Sequence, residues 1–222
     1  MLDRTKSVAE IVLDHPGTAS VMQSYRIDFC CRGGSSLEAA CAGKGLDVEE
    51  VARAVESAID QLRDGARDPR DMSTSDLVRF LVARHHAYLR RALPTVEALA
   101  VKVARVHGDA NPALLDLRDR VLELREALEP HLDAEERVVF PMLTGGADVA
   151  AIRKELAAMH AEHLRVGEIL TQLRTLADDY TPPEWACTSY RTLMRELAAL
   201  ETDTFRHIHL EAHVLAPRFG GA

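Results

Sequence analysis

Apolar positions recur along this chain at helical spacing. Leu114, Leu117, Val121, Leu124 and Leu128 trace one stripe, and Leu156, Met159, Val166, Ile169 and Leu173 trace another. No stretch alternates in the manner of a strand. Breakers divide the second half at His107-Gly108 with Asn111-Pro112, at Gly145-Gly146 and at Thr181-Pro182-Pro183, leaving segments near 76–107, 112–143, 147–179 and 183–217. Four near-equal helices with short connections bury their stripes by packing antiparallel, up-down-up-down. Pro94 and Pro130 fall inside two of these segments and predict kinks or local interruptions.

The first sixty residues read differently, as short helices with marked starts. Pro16 after His15 opens a segment running to Tyr25. Ser35 with Glu38, and Asp47 with Glu50, have the spacing of a capping box, in which side chains satisfy orphan backbone N–H groups. The polar run DGARDPRDMSTS over 64–75 is the expected boundary. The predicted protein is all-α, with a small N-terminal helical domain over 1–63, a linker over 64–75 and a four-helix bundle over 76–222.

Composition narrows the function. With 27 Lys+Arg against 35 Asp+Glu, a net charge of −8 and 5% aromatics, the chain lacks the cationic surface and stacking rings that nucleic acids require. No apolar run approaches the roughly 18 residues of a membrane span, and the start MLDRTKSVAE has no signal-peptide core, so the expected location is the cytoplasm. There, four cysteines are expected as reduced thiols or ligands. Cys30 and Cys31 are adjacent and precede Gly33-Gly34, so two thiols meet a flexible turn; Cys41 and Cys187 read as structural, with a minor metal role left open for Cys41.

Histidines carry the sharper signal, since all ten except His15 follow residue 84. The second bundle segment contains His131-x-x-x-Glu135-x-x-Val138-x-x-Pro141, and the fourth repeats it as His207-x-x-x-Glu211-x-x-Val214-x-x-Pro217. A spacing of four puts each His and Glu one turn apart on one helix face. In an antiparallel bundle, His86 on the first helix and His163 on the third reach the same level, so all four helices deliver a ligand to one region. Imidazoles with two carboxylates able to bridge suit a pair of iron ions. Zinc fits less well, because four ligands suffice for it, while manganese stays open. His160, three residues before His163, is a reserve ligand, and Glu162 a candidate for outer support or proton traffic. His85 is turned about 100° from His86 on a regular helix. His107 belongs to a helix end, and His209 and His213 are expected in solvent.

These motifs resemble those of the iron–sulfur cluster repair di-iron proteins, the repair-of-iron-centres family. The resemblance rests on Asp28-Phe29-Cys30-Cys31 with Gly33-Gly34, Cys41, HHAYLRRALP, VARVHG, HLDAEERVVFPM, EHLRVGEIL, TPPEWACTSYRTLM and RHIHLEAHVLAPR, and it covers nearly the whole chain. It implies a Cys-Cys domain followed by a hemerythrin-like bundle. That bundle would hold two non-haem iron ions, a form open to an oxo bridge, with His86, His131, His163 and His207 terminal and Glu135 and Glu211 bridging. The implied function is repair of iron–sulfur clusters damaged by nitric oxide or oxidants, with iron–sulfur proteins as clients and NO and O₂ as small partners. Cys30 and Cys31 would handle iron or electrons as thiolates. A nitric oxide reductase forming N₂O, an O₂/NO sensor and a homodimer are the open alternatives.

Overall fold

A computed structural model of the chain describes residues 2–61 and 68–220. Among these residues the only strand-type pairing is an isolated bridge between Ser7 and Ser36, and the architecture is helical throughout. The N-terminal part consists of α1 (Val8–Asp14), a 3₁₀ turn at Pro16–Thr18, α2 (Ala19–Ser24), α3 (Leu37–Ala42) and α4 (Val48–Gln61). Ser7 and Glu10 form a complete capping box at α1, with Ser7 Oγ accepting from Glu10 N at 3.2 Å and Glu10 Oε2 from Ser7 N at 2.9 Å. The cap expected at Ser35 is instead supplied by Ser36, whose Oγ accepts from Ala39 N at 3.2 Å. Asp47 Oδ1 accepts from Glu49 N at 2.8 Å ahead of α4.

Of the expected linker, 64–67 lies outside the described residues. Its remainder is a 3₁₀ turn, Pro69–Asp71, and the N-cap Ser73, whose Oγ accepts from Asp76 N at 3.1 Å. Four long helices follow. The first joins α5 (Thr74–Leu81) to α6 (Ala87–His107), and the second joins α7 (Ala113–Ala134) to α8 (Phe140–Gly145). The third is α9 (Val149–Leu176), and the fourth is α10 (Thr188–Leu210) with a short extension. α6 packs on α7 and α10, and α9 packs on the same two helices, which closes the four-helix ring. Every residue of the two predicted stripes is buried. At about 1.5–3 kcal/mol for each buried aliphatic side chain, such stripes dominate the bundle's stability.

The helices are not interrupted at Pro94 or Pro130, which both sit inside continuous α-helix. The irregularities are three π turns, at Val82–His86, Glu135–Val139 and Glu211–Leu215. In each, a backbone N–H skips one acceptor, as Phe140 N does to Glu135 O and Ala216 N to Glu211 O. The second and third turns stand two residues before Pro141 and Pro217. A proline offers no N–H and its ring crowds the carbonyl four residues back, so a widened turn accommodates it. The first turn has no such proline.

The N-terminal helices do not stand apart from the bundle. Val8, Ile11, Met22, Phe29 and Leu37 belong to one apolar cluster with the interiors of α6, α7, α9 and α10. Phe29 meets Phe205 of α10 edge-on with ring centres 6.2 Å apart, Arg26 pairs with Asp179 at 2.8 Å, and Thr202 donates to Gln23 at 3.1 Å. A second cluster, including Leu77, Leu81, Phe140, Leu143, Ile152, Leu156 and Leu215, seals the other end of the bundle.

Candidate metal centre

Each candidate ligand stands at or within a turn of one of the π turns, or faces them from α9. His86 ends the first π turn, Glu135 and Glu211 open the other two, His131 and His207 lie one turn earlier, and His163 projects from α9. All six side chains are buried. His86 Nε2 and His207 Nε2 are 3.1 Å apart, and so are His131 Nε2 and His163 Nε2. The two carboxylates span both pairs. Glu135 lies 3.3 Å from His86 Nε2 through Oε2 and 3.0 Å from His131 Nε2 through Oε1. Glu211 lies 3.1 Å from His207 Nε2 through Oε1 and 3.3 Å from His163 Nε2 through Oε2.

The ligand atoms form two groups, His86–Glu135–His207–Glu211 and His131–Glu135–His163–Glu211, each within 4.8 Å and sharing both glutamates. Two outer carboxylates fix the ring nitrogens. His86 Nδ1 faces Glu136 Oε1 at 2.9 Å, and His131 Nδ1 faces Glu162 Oε2 at 2.6 Å. A carboxylate is acceptor-only, so Nδ1 carries the hydrogen and the Nε2 lone pair points inward. Paired inward lone pairs beside carboxylate oxygens that have no hydrogen-bond donor are an uncompensated cost unless a cation occupies the middle. Four imidazoles with two shared carboxylates exceed the four ligands that suffice for one zinc ion, and they suit a non-haem di-iron site. Without a cation the remedy is a proton. Burial opposes a charge on His131, but Glu135, Glu211 and Glu162 outweigh it and raise the ring to about 9.

The other sequence candidates distribute unevenly. Glu162 is exposed at the rim yet holds His131, whereas His160 is not among the converging ligand atoms. His85 is not turned away. The π turn that ends in His86 brings both neighbours inside, where His85 Nδ1 meets Asp203 Oδ2 at 3.1 Å and the ring stacks on His207 at 5.8 Å. His209 and His213 are not in solvent either. His209 is buried and donates from Nδ1 to Phe29 O at 2.9 Å, and His213 donates from Nε2 to Cys30 O at 2.6 Å. Desolvation holds His209 down at about 3, with His213 adding to the effect, so it stays neutral as that donor.

The thiols also separate. Cys30 is buried and its thiol is pushed well up, first by desolvation and then by Cys31 and Asp28, while Cys31 is partly exposed. Cys41 is buried among the N-terminal helices. Cys187 caps α10 and lies 3.1 Å from His107 Nε2 at the far end of the bundle, which gives His107 a partner beyond its helix end. Sequence reading missed Glu136 and Asp203. Glu136 follows Glu135 directly, which is a faint signal, and Asp203 left none.

The family model for the hemerythrin HHE cation binding domain matches residues 77–219, and a domain of unknown function (DUF542) matches 4–59. The chain belongs to the hemerythrin HHE family. Its relatives include the iron-sulfur cluster repair protein ScdA of Staphylococcus haemolyticus, 30% identical over 99% of this chain and 100% of that one. The iron-sulfur cluster repair protein YtfE of Edwardsiella ictaluri is 33% identical over 98% of each chain, and that of Escherichia coli O157:H7 is 32% identical over 98% of each. These hemerythrin-type relatives carry the name of the family that the sequence resembles. The buried His/Glu groups of this hemerythrin-type bundle suit a non-haem di-iron site. Among the described residues no helix is long and apolar enough to cross a membrane.

Proposed function

We propose that this protein repairs iron–sulfur clusters damaged by nitrosative or oxidative stress, through iron supply, nitric oxide handling or both. Its clients are iron–sulfur proteins, and its site of action is the cytoplasm. The observation that carries the reading is the convergence of four imidazole nitrogens on two shared, otherwise unpartnered carboxylates. In this reading His86 and His207 would hold one iron and His131 and His163 the other, with Glu135 and Glu211 shared by both groups. Such a pair, when bound, supplies redox-active sites for diatomic gases and a store of ferrous ion.

The protein's own residues do the rest. Glu136 and Glu162 lock the His86 and His131 rings with Nε2 inward. Phe140, packed 5.5 Å from the His86 ring, and the apolar residues below it keep water from the bases. His85, held by Asp203, backs the His207 ring. Buried Cys30 and partly exposed Cys31, on a turn clamped to the fourth bundle helix, handle iron or electrons.

The test is restoration of a damaged iron–sulfur dehydratase by anaerobically purified protein, with iron counted per chain. About two irons in the parent, and loss of both iron and restoration in Glu135→Ala and Glu211→Ala, are expected. Full restoration by either iron-free variant would overturn the reading.

A further inference from the structure

The turn between α2 and α3 gathers a second set of metal-binding atoms. Cys30 Sγ and Cys31 Sγ stand 3.6 Å apart, Asp28 Oδ1 lies 3.3 Å from Cys30 Sγ, and ligand atoms of all three residues fall within 4.8 Å of one another. A disulfide needs about 2.05 Å between sulfurs, and this pair stands well beyond that as two free thiols. Two thiolates on one tetrahedral ion, with metal–sulfur bonds of about 2.3 Å, stand about 3.8 Å apart, and a carboxylate oxygen on the same ion stands about 3.6 Å from each. The observed spacings fall within a few tenths of an ångström of these edges.

The backbone holds that spacing from several sides. Asp28 Oδ1 accepts from Cys30 N at 3.0 Å and from Cys31 N at 2.9 Å, which fixes the carboxylate beside the two thiols. His209 of α10 and His213 of the π turn that follows it clamp the Phe29 and Cys30 carbonyls. Gly33 is needed for the fold-back, since a Cβ there would stand 2.3 Å from Phe29 O. One side of the trio opens on a groove of about 700 Å³ between the turn and the third and fourth bundle helices, lined across from it by Leu164, Gly167, Thr171 and Phe205.

We propose that Asp28, Cys30 and Cys31 form a mononuclear cation site for a thiophilic divalent ion of the ferrous or zinc class, with its fourth position facing the groove. The assignment of this ion as iron in transit rests on the repair function proposed above; the site itself does not. As the ion enters, the two thiol protons leave to solvent and no electron moves. A structural zinc site closes its shell with four protein ligands, whereas three leave a position at which an incoming donor can take the ion.

The test uses full-length protein carrying Cys41→Ser and Cys187→Ser, with the bundle site intact, titrated anaerobically with cobalt(II) chloride. Thiolate-to-cobalt charge transfer reports this site alone, because imidazole and carboxylate ligands do not produce it. One equivalent is expected to raise the band even when the bundle has been filled first. Cys30→Ser and Cys31→Ser should each abolish it. Asp28→Asn, which keeps an oxygen for the two amides, should weaken cobalt binding by about tenfold or more, the scale that even outer partners of a metal site reach. Circular dichroism and the bundle's metal content, unchanged in each variant, certify the fold. No thiolate band, or a band whose affinity is the same in Asp28→Asn, would overturn the three-donor site. Either result leaves the repair reading standing, just as an iron-free bundle variant that still repairs would leave this site standing.

Discussion

The two halves of the bundle centre match on the inside and differ on the outside. Each has two imidazole nitrogens 3.1 Å apart, and each has carboxylate oxygens at 3.0–3.3 Å. Behind them the surroundings diverge. The His86/His207 half is braced by Glu136, which also binds Arg90 at 3.0 Å, and by the buried His85–Asp203 pair. In the other half His131 leans on Glu162, whose side chain is 58% exposed. Inner geometry decides what the centre can hold, and outer contacts decide how tightly each half holds it.

The largest effect should erase the comparison altogether. Glu135→Ala or Glu211→Ala removes a carboxylate common to both halves, and iron should fall from about two per chain to nearly none by elemental analysis. Iron retained at about one per chain would mean that the halves are independent. Next, the outer partners should separate the halves. Glu136→Ala leaves His86 Nδ1 buried with no acceptor, and metal affinity should drop toward about a hundredfold in a chelator competition. Glu162→Ala exposes His131 Nδ1 to water, which replaces the lost acceptor, and the drop should stay near about tenfold. Equal losses would remove the distinction drawn here.

A smaller, graded effect follows from His131. In the metal-free protein its ring is raised to about 9, so below that pH a proton sits where a metal must bind. Metal uptake then releases that proton, and affinity should rise with pH and flatten above about 9. Chelator competition at several pH values checks it, and a flat response below 9 would contradict it. The smallest effect concerns the clamp on the thiol turn. His213→Ala removes one of the two imidazole bonds to the turn, and should lower the melting temperature by a few degrees, for a loss of about 1 kcal/mol, while the iron count holds. Loss of bundle iron in that variant would couple the turn to the centre more tightly than the contacts do.

The helical class and the four long segments are legible in the chain, and so is the spacing that singles out the six candidate ligands. The reason is geometric, since a spacing of four puts His and Glu on one face and an antiparallel ring brings equal depths level. Legibility stopped where a residue's role depends on which helix lies beside it. On a regular helix His85 turns about 100° from His86, and only the π turn brings it in beside that residue. Glu136 and Asp203 carry no spacing signal, because their partners lie 50 and 118 residues away along the chain. Nothing in the sequence takes His209 and His213 out of solvent, since it does not show that the N-terminal helices dock on the face of the fourth helix opposite His207 and Glu211. Periodicity is a property of one helix and can be read from the chain alone. The pairing of two faces depends on how whole elements bury their apolar surface together, and that is settled when the helices pack.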